Sequence, residues 1–229
     1  MPTAIITGAS RGLGLALARA LADRGWNLVL DARGGDALQR AAEELSATAE
    51  VVAVTGDVAD DRHRRELIEA ARALGGPDLL VNNASLLGPS PQPRLADYPL
   101  DAFEAVYEAN VTAPLALIQL ALPLLAQSPQ GRIVNVTSDA GVEGYEGWGG
   151  YGSSKAALEH VSKVLAAEHP ELRVWWVDPG DMNTRMHQEA FPGEDISDRP
   201  PPENSVPGIL DLLDRDAPSG RYQARPTAP

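Results

Sequence analysis

Tyr151 and Lys155 stand four residues apart in Tyr151-Gly-Ser-Ser-Lys155, and Lys155 is one of only two lysines in the chain. Residues four apart on a helix share a face, so this spacing sets an ammonium beside a phenol. A free phenol titrates near ~10. A neighbouring positive charge favours the phenolate and lowers that value, which would make Tyr151 a usable acid and base near neutrality. On spacing alone the same pair could decorate a solvated helix face. The surrounding residues therefore decide its meaning.

Thr7-Gly8-Ala9-Ser10-Arg11-Gly12-Leu13-Gly14 follows an apolar run and precedes a helical pattern. Glycine permits a tight turn and close approach of a ligand to the backbone. The free N–H groups and positive dipole end of the following helix attract a pyrophosphate. The spacing is G-x-x-x-G-x-G rather than the G-x-G-x-x-G fingerprint. The end of the second strand reads Leu30-Asp31-Ala32-Arg33. An acid there suits a ribose 2′-OH, whereas an arginine suits a 2′-phosphate. Which one faces the ribose depends on register. Arg33, with Arg11 nearby, would select NADP(H), the favoured reading; Asp31 would select NAD(H).

Those residues need a scaffold, and the pattern supplies one. Short aliphatic runs alternate with helical stretches, the signature of βαβ units and a parallel sheet. Strands are predicted at Thr3–Thr7, Asn27–Asp31, Glu50–Thr55, Asp78–Asn82, Arg132–Thr137, Leu172–Asp178 and near Arg221–Arg225. Helices are predicted at about Gly12–Arg24, Asp36–Ala47, Asp60–Leu74, Asp101–Ala126, Tyr151–Glu168 and Ser205–Arg215. The near-continuous apolarity of the strands suits burial on both faces. The expected fold is a single α/β domain over residues 1–229, a Rossmann-type doubly wound parallel sheet. Residues 1–137 would form mainly the cofactor half, and 138–229 the catalytic and substrate half. Two loops break the rhythm: Gly88–Pro99, with four prolines, and a long polar segment at about 181–207, read as the substrate loop.

Composition removes other classes. The chain has 229 residues, 32 acidic against 19 basic, and a net charge of -13. That excess of acid argues against a nucleic-acid or anionic-membrane surface. No cysteine is present, which excludes thiolate nucleophiles and cysteine-ligated metals. The apolar run after Met1 leads directly into the glycine turn, leaving no room for a signal peptide. Pro114–Ala126 is too short and too interrupted to span a bilayer. A cytoplasmic protein with no membrane partner and no metal is expected.

Taken in order, the glycine turn, Asn82-Asn83-Ala84, Ser138, Tyr151-x-x-x-Lys155 and Pro179-Gly180 resemble the short-chain dehydrogenase/reductase family from about residue 3 to 184. The resemblance implies a cofactor site built from Gly8, Ser10, Arg11, Gly12, Leu13 and Gly14, with Arg33 at the adenosine end. Asp57 and Val58 would contact the adenine, and Asn83 and Ala84 would support the sheet and ribose. Pro179, Gly180 and Thr184 would meet the nicotinamide carboxamide. It also implies four catalytic residues. Ser138, 13 residues before Tyr151, would hold the carbonyl oxygen while Tyr151 exchanges a proton with it. Lys155 would depress the tyrosine pKa and bond the nicotinamide ribose, and Asn110 would position a water linking Lys155 to solvent. Ser85 replaces the glycine that usually ends Asn-Asn-Ala-Gly, which puts the conformation of that loop in question.

The expected activity is hydride transfer between NADP(H) and a small carbonyl or alcohol substrate. The pocket lining is expected from Leu86, Leu87, Val142, Tyr145, Trp148, Met182, Met186 and Phe191, apolar enough to favour a neutral compound. Gly141, Gly144, Gly147, Gly149 and Gly150 suggest a mobile connection. The helix around Leu115–Leu122 is apolar on nearly every side, beyond the single stripe a sheet requires. The surplus suggests a subunit contact with the Tyr151 helix of a partner, and the family resemblance, whose members commonly pair through these two helices, implies a homodimer or homotetramer. Two further readings keep the fold: an NAD(H)-dependent alcohol dehydrogenase, and a catalytically silent dinucleotide sensor.

Overall fold

A computed structural model describes residues 1–225; the last four residues of the expected domain range lie outside the described residues. Seven parallel strands form one sheet in the order β3-β2-β1-β4-β5-β6-β7. They are β1 (Thr3–Ile6), β2 (Asn27–Ala32), β3 (Val51–Thr55), β4 (Leu79–Asn82), β5 (Arg132–Val136), β6 (Arg173–Asp178) and β7 (Gly220–Gln223). The helices are α1 (Gly12–Ala22), α2 (Gly35–Leu45), α3 (Asp61–Ala73), α4 (Leu100–Tyr107), α5 (Ala113–Leu125), α6 (Gly149–Glu168), α7 (Arg185–Ala190) and α8 (Val206–Asp214).

The sheet is buried on both faces because successive side chains on a strand point opposite ways. Ala4 and Ile6 of β1, with Leu28 and Leu30 of β2, enter the core that packs on α1, α2 and α8. Ile5 and Val29 enter the other core, against α3, α5 and α6. Each fully buried aliphatic side chain there contributes roughly 1.5–3 kcal/mol. The doubly wound parallel fold expected from the alternation is thus present.

Three local expectations change. The helix predicted over Asp101–Ala126 is broken by a π-helical turn at Glu108–Thr112, which contains the buried Asn110. The segment 181–207 is not a structureless loop: it contains α7 and a 3-10 turn at Pro202–Ser205. Two of the glycines before Tyr151 have close packing partners. A Cβ on Gly149 would lie 2.6 Å from Leu95 Cδ1, and one on Gly150 2.4 Å from the Tyr98 ring.

Taken end to end, Leu100–Leu125 is 26 residues long with a hydropathy of 1.4, long and apolar enough to cross a membrane by those measures. Its Leu117, Ile118, Ala121 and Leu125 instead pack into the sheet core. Leu115, Leu120, Leu122 and Leu124 stay half-buried on its outer side.

Candidate active site

The strand order reverses between β1 and β4, and ligands of open α/β sheets bind in the crevice at the C-terminal ends of such neighbours. That crevice begins at the turn after β1. Gly8 and Gly12 adopt φ of 66° and 57°, in the left-handed region that glycine tolerates. Gly14 admits no side chain at all, since a Cβ would lie 2.5 Å from Gly8 O and 2.6 Å from Asn83 Nδ2. From the β4 end, Asn83 Nδ2 donates to Thr7 O (2.8 Å) and Gly8 O (3.2 Å), and the Asn83 and Ala84 N–H groups donate to Thr7 Oγ1. Asn83 and Ala84 therefore shape the turn itself.

Helix α1 starts with no side-chain cap and no acid in its first turn, so its N–H groups and dipole are open to an anion. Arg11 is exposed and Ser10 half-buried at this mouth, whereas the Leu13 side chain belongs to the core. Only the backbone of Leu13 can face a ligand. Across the mouth, Thr184 Cγ2 would lie 3.7 Å from a Cβ on Gly12, which brings the Pro179-Gly180-Thr184 segment opposite the turn. These residues fit a dinucleotide: a glycine cradle, an uncapped helix end and a nearby guanidinium.

The two candidates at the end of β2 separate cleanly. Asp31 is 1% exposed; its Oδ1 lies 2.6 Å from His63 Nε2 and its Oδ2 accepts from Gly8 N at 3.3 Å. Arg33 is exposed just past the strand, 3.8 Å from Asp57 Oδ2. Asp57 caps its own turn by accepting from Ala59 N, and the Val58 carbonyl accepts from Arg64.

The four catalytic candidates converge where β5, the π-helical turn and α6 meet. Ser138 closes β5, donating from Oγ to Asp139 Oδ1 (2.8 Å) and capping the 3-10 turn Asp139–Gly141. Its backbone carbonyl accepts from Arg221 Nη2 (3.3 Å), and Arg221 is in turn held by Glu159 and Asp178. Tyr151 is 8% exposed and Lys155 2%, with Lys155 Nζ 5.4 Å from the phenol ring centroid. Lys155 Nζ donates to Val136 O at 2.8 Å.

Here an expectation fails. The Tyr151 phenol is pushed up, not down: burial raises it, a contact with the Ser85 hydroxyl opposes that, and the charges of Asp178 and Asp139 add to it. Burial also pulls Lys155 down to about 8. Desolvation disfavours the charged form of each group, and it is the leading cause of both shifts.

Asn110 is fully buried and saturated. Its Oδ1 accepts from Ser85 Oγ (3.0 Å) and Leu86 N (2.8 Å); its Nδ2 donates to Leu86 O and Ser154 Oγ, both at 2.9 Å. The side chain thus clamps the 85–86 loop to α6 and has no amide group left to hold a water. Ser85, at the doubtful glycine position, joins this clamp and leaves the loop ordered by protein contacts.

An apolar wall stands over Tyr151. Leu87 and Ala140 are buried against it, with Trp148 and Met186 packed alongside; the Trp148 ring is 5.8 Å from Tyr151 and 5.9 Å from Phe191. Met182 departs from the expected lining and packs on the main core, while Val142 and Tyr145 are largely exposed. Asp139, His63 and Arg221 were not singled out in the sequence. Asp139 beside Ser138 was the one visible signal; the other two become legible only once distant elements are brought together. A hollow of about 460 Å3 lies elsewhere, around Arg24, Trp26 and Asp216, away from this chemistry.

Comparison with known proteins agrees with this geometry. A family model described as short chain dehydrogenase matches residues 2–195. The chain is 36% identical over 194 residues to the rhamnolipids biosynthesis 3-oxoacyl-(acyl-carrier-protein) reductase of Pseudomonas aeruginosa, covering 80% of this chain and 73% of that one. It is 34% identical to the benzil reductase ((S)-benzoin forming) of Saccharomyces cerevisiae, covering 90% and 79%. A short chain dehydrogenase of Shigella flexneri, solved in complex with NADP, superposes with a TM-score of 0.88 at 29% identity, covering 98% and 97%.

Proposed function

The chain belongs to the short-chain dehydrogenase/reductase family, and from that premise we propose that it is an NADP(H)-dependent reductase of small neutral carbonyl compounds. The observation that carries this reading is the buried Tyr151–Lys155 pair beneath an apolar wall, in a chain that also offers an anion-ready glycine turn.

The preference for NADP(H) follows from the division of labour after β2. The Asp31 carboxylate is committed to His63 and Gly8, which leaves the ribose end to the exposed Arg33. A guanidinium there matches a phosphate in charge and shape. The Shigella flexneri relative was solved with NADP, in keeping with this preference.

The nicotinamide supplies the hydride when bound. Tyr151 supplies the proton to the carbonyl oxygen, and its raised pKa keeps it protonated at neutral pH, the state reduction requires. Ser138 turns its hydroxyl from Asp139 to that oxygen and stabilises the charge growing there. Lys155 keeps two donors beyond the one used on Val136, enough to bond a ribose hydroxyl. The apolar wall excludes water and favours aldehydes and ketones without a charged group. The half-buried outer leucines of α5 suit a homo-oligomer assembled through that helix.

The test is a titration of the protein with NADPH and NADH side by side, following quenching of its four tryptophans. NADPH should bind more tightly and support reduction of apolar aldehydes and ketones. Tighter NADH binding would return the assignment to alcohol oxidation, and binding of neither would overturn the enzyme reading.

A further inference from the structure

The Asp31–His63 contact joins two titratable side chains that the proposed reaction does not use. Both are buried, at 1% and 4% exposure, and their polar atoms are 2.6 Å apart. The second Asp31 oxygen reaches back to the N–H of Gly8, the first glycine of the cofactor turn, and the Asp31 carbonyl accepts from Ala9 N at 2.8 Å. One carboxylate therefore sits directly under the turn that is to hold a pyrophosphate.

His63 is locked where it is. Its Nδ1 has no hydrogen-bond partner, and the ring lies so close to Gly56 that a Cβ there would come within 2.2 Å of Nδ1. Protonated, the imidazole cancels the Asp31 charge but buries an unpaired N–H; neutral, it keeps the Nε2 donor but leaves the carboxylate uncompensated. The strands β1, β2 and β3 and helix α5 pack against α3, and among them Asp31 is the one charged side chain. On α3 and its cap, Glu66 and Asp60 add a weaker pull in the same direction, and Arg64 is turned to the Val58 carbonyl. The hydrogen bond to Asp31 holds the His63 pKa above its ordinary value against the opposing effect of burial.

We propose that Asp31 and His63 are a positioning pair for the glycine turn, and that loss of the His63 proton loosens dinucleotide binding by exposing the pyrophosphate to an uncompensated buried carboxylate. This rests on the dinucleotide-binding reading above. An anionic ligand above the turn favours the protonated pair, so His63 should titrate at higher pH with the ligand bound than without. Binding is then tight below the free-protein pKa and weakens as pH rises through the interval between the two values. One extra unit charge at this range and a protein-like dielectric corresponds to about a tenfold change in Kd.

The experiment measures the Kd of NADPH for the wild-type chain and for His63→Gln from about pH 6 to about pH 9. Glutamine keeps a donor for Asp31 but does not titrate, and the cofactor's own 2′-phosphate titration cancels in the ratio of the two constants. The ratio of wild-type to variant Kd should rise about tenfold across the range. A ratio that stays constant, as a purely structural histidine would give, overturns the proposal. Should His63→Gln fail to fold, NMR titration of the His63 ring in the wild type, with and without NADP, decides it: a raised pKa in the complex supports the pair, an unchanged one refutes it. Absence of NADPH binding to the wild type at every pH would instead overturn the parent reading, and this inference with it.

Discussion

Arg33→Ala isolates the 2′-phosphate contact from everything else in the site. The Arg33 side chain is 67% exposed, and its nearest acid, Asp57, is 3.8 Å away and itself 47% exposed. An ion pair that open to water is worth about 0–1 kcal/mol, so turning Arg33 from Asp57 to a phosphate costs little. A hydrogen bond between charged groups is worth about 1.5–3 kcal/mol. Subtracting the first from the second leaves roughly 0.5–3 kcal/mol, or about 2- to 160-fold in Kd. The variant should therefore bind NADPH that much more weakly, with NADH unchanged within about twofold because it has no 2′-phosphate. Folding stability should move by less than about 0.5 kcal/mol, as for other exposed positions. Calorimetric titration with each cofactor, repeated at raised salt, reads all of this; screening should narrow the NADPH advantage. Equal losses for the two cofactors, or no loss for NADPH, would refute the assignment of Arg33.

Two other substitutions probe the cradle and the proton donor. Tyr151→Phe should lower turnover of a carbonyl substrate by about 10²- to 10⁴-fold while NADPH binding, followed by tryptophan quenching, stays within a few-fold; a variant that still turns over would remove the phenol from the mechanism. Gly14→Ala forces a methyl to within 2.5 Å of Gly8 O, so urea unfolding should show a loss of about 1–3 kcal/mol together with weaker NADPH binding. Gly34→Ala, where a Cβ meets nothing within 4 Å, is its control and should leave both readings near wild type.

The scaffold was legible because its determinants are local. Alternation of short aliphatic runs with helical stretches placed all seven strands within two residues at either end. The breaks in that legibility have physical causes. Nothing in the pattern of Asp101–Ala126 distinguishes a π-helical turn from continuous helix, because one inserted residue shifts the apolar face without removing it. Helix α7 is six residues long, too short for any periodicity to declare itself, and is held by the Thr184 cap. Gly149 and Gly150 belong to the glycine-rich stretch that suggests a mobile connection. Their reason is the packing of Leu95 and Tyr98, more than 50 residues earlier.

In the site, spacing revealed which groups meet but not the medium in which they meet. Tyr151 and Lys155 are neighbours, as the four-residue interval requires. From that interval alone, the lysine charge should lower the phenol pKa. Both groups prove to be nearly inaccessible to water, and burial acts on them oppositely: it raises the acid that becomes an anion and lowers the base that becomes a cation. A phenol with a raised pKa holds its proton at neutral pH. Lys155, brought down to about 8, still carries its charge in most molecules at neutral pH and can stabilise the phenolate left behind. Spacing therefore gives the two neighbours, and burial, which the sequence pattern does not show, gives the direction in which each pKa moves.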